Sequence, residues 1–151
     1  MKDSNLTKQE RIFLTWMKFL TVCFLGLAIL FTFFANWTLD YISKIGSVIF
    51  NLRSNSNPQN NELFWVVIAN SSLWVLAYTS FKASYRSFLH VNYTVIIIMA
   101  KLCSTIGFFY CFLMAEQKFL YLLATIADTL VLIITWVYYR SAISSRNRTL
   151  I

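Results

Sequence analysis

VNYTVIIIMAKLCSTIGFFYCFLM (Val91–Met114), AEQK (115–118) and FLYLLATIADTLVLIITWVYY (Phe119–Tyr139) decide how this chain folds. Each outer run is long enough to cross the ~30 Å hydrocarbon core of a bilayer as a helix. The short connection between them leaves room only for a tight turn, so the two runs should form an antiparallel hairpin. Each run also carries one charge near its middle, Lys101 and Asp128. A lone charge at the bilayer centre costs about 3 kcal/mol or more. In a hairpin, Lys101 is eleven residues from His90 and Asp128 is twelve from Arg140. At about 1.5 Å per residue, both then sit roughly 17 Å from the same membrane face. Equal depth makes each the natural partner of the other.

The helical wheel extends that polar level. Ser104 and Thr105 follow Lys101 at three and four residues, and Thr94 precedes it by seven. On the next run, Tyr121, Thr125, Asp128, Thr135 and Tyr139 fall along one stripe. A third apolar run, Leu63–Phe81, places Asn70 twelve residues from Lys82 and hence at the same expected depth. The expected buried polar centre is therefore Lys101, Asp128, Asn70, Ser104, Thr105 and Thr125. Other faces of these runs are Leu, Ile, Val and Phe, as lipid or neighbouring apolar helices require.

Upstream, Thr7 and Glu10 have the spacing of a capping box, which predicts a helix beginning at Lys8. The apolar stretch that follows is interrupted only by Lys18, whose long stem can reach headgroups. A first span over Phe13–Phe34 fits better than a cleaved signal peptide. The stretch is too long for an h-region, and Phe33 and Phe34 occupy positions that call for small residues. Residues 38–52 are too short and polar to cross. Their Ile42, Ile45, Ile49 and Leu52 recur at helical spacing, with Asp40, Ser43, Lys44 and Ser47 elsewhere on the wheel. This predicts an interfacial amphipathic helix, with a longer, tilted first span as the alternative. Residues 53–62, RSNSNPQNNE, hold the one proline and read as an exposed loop, and 140–151 read as a frayed basic tail.

The expected fold is thus all-α: a single integral membrane domain over 1–151. It is a four-transmembrane-helix bundle with spans near 13–34, 63–81, 91–114 and 119–139, plus the interfacial helix. Composition agrees, with 58% hydrophobic and only 13% charged residues and a mean hydropathy of +0.61. Lys2, Lys8, Arg11, Lys18, Lys82, Arg86, Arg140, Arg146 and Arg148 fall on one side, against Lys44, Arg53 and Lys118 on the other. The positive-inside rule then puts both termini in the cytoplasm, with a bacterial inner (plasma) membrane as the expected location. It also explains the net charge of +7 without nucleic acid, because the cations flank apolar runs.

Several chemistries find no residues to carry them. Cys23, Cys103 and Cys111 lie inside apolar runs without a CxxC, and His90 is the one histidine, so neither a metal nor a cofactor is expected. No Ser–His–Asp set or glycine-rich phosphate loop appears, so no catalytic residues are assigned and an enzyme is not expected. Asn5, Asn36, Asn70, Asn92 and Asn147 each begin an N-x-[ST] pattern, of which only Asn36 falls on the predicted far side. Gly26 and Gly107 permit close helix approach but form no GxxxG. Trp16, Trp37, Tyr41, Tyr93, Trp136, Tyr138 and Tyr139 lie near span ends, as interfacial aromatics do. Lys82, Arg86 and His90 form a short basic loop that can hold an anionic lipid headgroup or simply set topology.

A single matched charge pair neutralises itself, whereas a conduction path needs further ionisable groups above and below it. The expectation is a small non-catalytic membrane subunit that stabilises, anchors or assembles a larger complex. Its partners are the bilayer and other membrane subunits or copies of itself. A second expectation is an oligomeric transporter of protons, ions or small solutes that uses Asp128 and Lys101. A third is a lipid-handling protein.

Overall fold

A computed structural model describes residues 6–50, 60–85, 91–114 and 119–149. It contains four helices: α1 (Lys8–Phe50), α2 (Asn60–Ser84), α3 (Asn92–Met114) and α4 (Phe119–Thr149), with no strand among the described residues. Among the described residues three stretches are long and apolar enough to span a membrane: Lys8–Ala35 of α1, all of α3, and Leu120–Arg146 of α4. This fits a membrane protein. The fourth helix, α2, carries Asn70, Ser71 and Ser72 in its middle, which lowers its apolarity. Ser71 and Ser72 turn their hydroxyls back onto the carbonyls of Val67 and Ile68, at 2.9 and 3.0 Å, so those donors are satisfied inside the helix.

The helices form a ring. α1 packs on α2 and α4, and α3 packs on α4 and α2, while neither diagonal pair brings its backbones close. Buried residues follow helical spacing on every element: Phe13, Met17, Leu20, Phe24 and Ala28 on α1, for example, recur every three or four positions. Their distribution along the bundle is uneven. Among the described side chains, none on α1 beyond Ala28, none on α2 before Leu76, none on α3 beyond Lys101 and none on α4 before Asp128 is buried. One half of the bundle, holding the α1 start and the α4 end, has a closed core. The other half is open.

The α1 start is built as its sequence predicts. The Thr7 amide donates to Glu10 Oε2 at 2.8 Å, and the Glu10 amide donates to Thr7 Oγ1 at 3.3 Å, a reciprocal capping box. Ser145 of α4 donates to Thr7 Oγ1 at 2.7 Å, which ties the cap to the end of the last helix. Thr7→Ala should therefore cost about 1 kcal/mol. This would show as a lower melting temperature in detergent, with Thr7→Ser retaining most of the stability.

Element boundaries differ from the sequence expectation in three places. The first span and the following amphipathic segment are one 43-residue helix with a local break at Phe34 (φ −132°, ψ 28°), the last residue of the expected span. Beyond the break, Trp37 and Tyr41 stack with ring centroids 5.5 Å apart, and both are exposed. α2 runs from Asn60 to Ser84, so 60–62 and 82–84 are helical rather than loop. α4 runs on to Thr149, because Ala142 is buried and Ser145 is anchored to the α1 cap, where a frayed tail was expected. The loop over 53–59, the turn over 115–118, Arg86, His90, Leu52, Asn5 and the side chains of Asn36, Ile42 and Ile49 lie outside the description.

Candidate functional site

Lys101 and Asp128 occupy the layer where the closed core ends, together with Ala28 and Leu76. α3 and α4 bring them together. Lys101 Nζ donates to Asp128 Oδ1 at 2.5 Å, and the two residues are 7% and 9% exposed. Ser104, one turn after Lys101, donates to Asp128 Oδ2. Its hydroxyl also lies 3.2 Å from the Lys101 carbonyl, but the charged carboxylate is the stronger acceptor for its single proton. From across the ring, the Phe24 ring of α1 faces the ammonium, 5.0 Å from Nζ to centroid. That places a π-face against a desolvated cation, an arrangement worth about 2 kcal/mol where water is excluded.

The result is a closed electrostatic unit. Both carboxylate oxygens have donors, and the ammonium has a carboxylate and a ring. Below it Ile97, Leu20 and Met17 fill the closed half, where the one other buried charged side chain among the described residues is Glu10, which is engaged in the α1 cap. In an apolar medium such pairing offsets the desolvation of both ions only when the remaining hydrogen-bonding capacity is also met. Ser104 and Phe24 supply that remainder.

The other expected members of the polar centre are placed differently. Asn70 donates through Nδ2 to Thr32 Oγ1 of α1 at 2.9 Å. Thr32 is four residues beyond Ala28 and Asn70 six before Leu76, so Asn70 lies roughly 6–9 Å further toward the open end than the charge pair. Counting from Lys82 had put it level with Lys101; α2 instead runs on to Ser84 and its register is set by packing on α1. Thr125 closes onto the Tyr121 carbonyl of its own helix at 2.7 Å. Thr105 Oγ1 and Asn70 Oδ1 are buried atoms without a hydrogen-bond partner in the structure. Lys82 lies over the Tyr78 ring at 5.5 Å, on a different part of the molecule.

Other contacts were not anticipated. Trp16 Nε1 donates to the fully buried Thr135 Oγ1 at 2.9 Å, joining α1 to α4 below the charge pair. Thr135 stands on the predicted α4 stripe, but nothing in the sequence identified Trp16 as its donor. Phe24 was also missed as the third side of the Lys101 site, since an apolar residue on a neighbouring helix leaves no pattern. At Gly26 and Gly107 an added Cβ would meet no atom, so neither glycine serves close packing within the chain. No group of three or more His, Cys, Asp or Glu with metal-holding geometry occurs among the described residues. No known family model, curated protein or solved structure matches this chain.

Proposed function

We propose that the chain is a small, non-catalytic integral membrane subunit that stabilises or assembles a larger membrane complex through the open half of its bundle. On this reading all four helices cross the bilayer with both termini in the cytoplasm, and the segment after Phe34 lies along the far interface. The observation that carries it is the burial boundary at Lys101 and Asp128. A charge pair closed on itself fixes the register of α3 against α4. Beyond it the positions that continue the core-facing stripes, Phe108 and Phe112 on α3 and Tyr121 and Thr125 on α4, are only half-buried. Helices of another subunit would complete their burial.

The transporter reading draws on the same opening, since Asp128 and Lys101 form its floor. It lacks a continuation, because the closed half beneath the pair is packed with apolar side chains. Purification of the full chain from its native membrane in mild detergent separates the two. A stoichiometric complex with unrelated subunits is expected, whereas an assembly of further copies alone would fit the oligomeric transporter instead. A monomer that carries no other protein would overturn the subunit reading.

A further inference from the structure

An open groove of about 720 Å³ runs along the outside of α1 beside α4, at the end of the bundle that holds the α1 cap. Its rim carries Lys8 and Arg11, both exposed and three residues apart on α1. Its wall is apolar and aromatic, formed by Ile12, Trp16, Phe19 and Tyr138. The wall is held rigid: Trp16 stacks on Phe19 at 5.5 Å, meets Tyr138 edge-on at 5.8 Å, and is pinned by its hydrogen bond to Thr135. Among the described residues no acidic one lines the groove, and the nearby Glu10 is buried and engaged with the Thr7 amide.

We infer that this groove binds one anionic phospholipid, with its phosphate at Lys8 and Arg11 and an acyl chain against Ile12, Trp16 and Phe19. Three features of the site match that ligand. The cations sit at the start of the apolar stretch Lys8–Ala35, which is headgroup level for a spanning helix. The groove descends from them along apolar surface, so a bound molecule must be charged at one end and apolar below it. Its volume falls within the range of ordinary small-molecule sites, about 300–1,000 Å³. A zwitterionic lipid would fit the wall but gain less from the rim, and a soluble anion would use the rim and leave the wall wet. The groove lies on the closed half, apart from the open face assigned to partner helices. Loss of the lipid site would therefore leave the subunit reading standing, and the reverse also holds.

The test uses the full chain in detergent, titrated with phosphatidylglycerol or phosphatidylcholine, with binding read by native mass spectrometry. Phosphatidylglycerol should bind more tightly, and the preference should shrink as salt rises. Lys8→Gln with Arg11→Gln should weaken phosphatidylglycerol binding about thirty-fold, roughly five-fold per cation. Both side chains are exposed, so the melting temperature should hold, and Lys8→Arg with Arg11→Lys should retain binding. Equal affinity for the two lipids would overturn the assignment. So would unchanged phosphatidylglycerol binding in the double glutamine variant, or a loss produced instead by Lys82→Gln.

Discussion

Lys101→Met is expected to destabilise the purified protein by about 3–5 kcal/mol, the usual cost of removing one partner from a buried ion pair. Methionine keeps most of the lysine stem, so packing against Phe24 and the neighbouring helices changes little. What disappears is the ammonium that donates to Asp128 Oδ1, which leaves a carboxylate in the bundle interior with Ser104 as its remaining donor. Asp128→Asn should cost less, because the amide carbonyl still accepts from Ser104, although the ammonium then faces only a neutral oxygen and the Phe24 ring. Thermal unfolding in detergent, followed by circular dichroism, gives both values. A change below about 0.5 kcal/mol for Lys101→Met would mean that water already reaches the pair.

The second large effect contrasts the closed core with the outer surface beside the open half. Leu20 in the core is 1% exposed, and Ile106 on the outer face of α3 is 62% exposed. Leu20→Ala should cost about 2–3 kcal/mol. Lipid and detergent tails are as apolar as leucine, so the loss is mainly packing against neighbours and the cavity left behind. Ile106→Ala, facing no neighbour in the isolated chain, should stay within about 0.5 kcal/mol. Within a complex the order should narrow, with Ile106→Ala weakening retention of the partner. Equal costs in the isolated chain would mean that Ile106 is packed against neighbours after all.

The all-helical character was legible in the sequence because long apolar runs leave one solution for the backbone in a membrane. The helix count was not, since the segment expected as a separate interfacial helix continues α1. The capping box was legible because it is local, two residues three apart. Lys101 with Asp128 was legible for a different reason: a tight turn makes depth countable from both ends, and charges at equal depth have little choice of partner. Ser104 followed at one turn. Asn70 was misplaced because its depth was counted from Lys82 across a segment with no such constraint, and α2 took its register from Thr32 and the face of α1. Neither the break at Phe34 nor the continuation of α4 to Thr149 has a proline or glycine to announce it. The continuation of α4 arises from its contact with the α1 cap, through Ser145 and Thr7. The open half was illegible for the deepest reason, since apolar residues read alike whether they face a core, lipid or a partner.

The role of Lys101 and Asp128 as a latch between α3 and α4 is tested most directly by joining Lys101→Met and Asp128→Asn in one chain. Stability, partner retention in mild detergent and proton flux into vesicles loaded with a pH-sensitive dye are measured together. A latch predicts that the double variant recovers to within about 1 kcal/mol of the parent, keeps its partner, and matches the parent's flux. Recovered stability accompanied by loss of a proton flux that the parent shows would contradict the latch and make Asp128 the working group of a transporter.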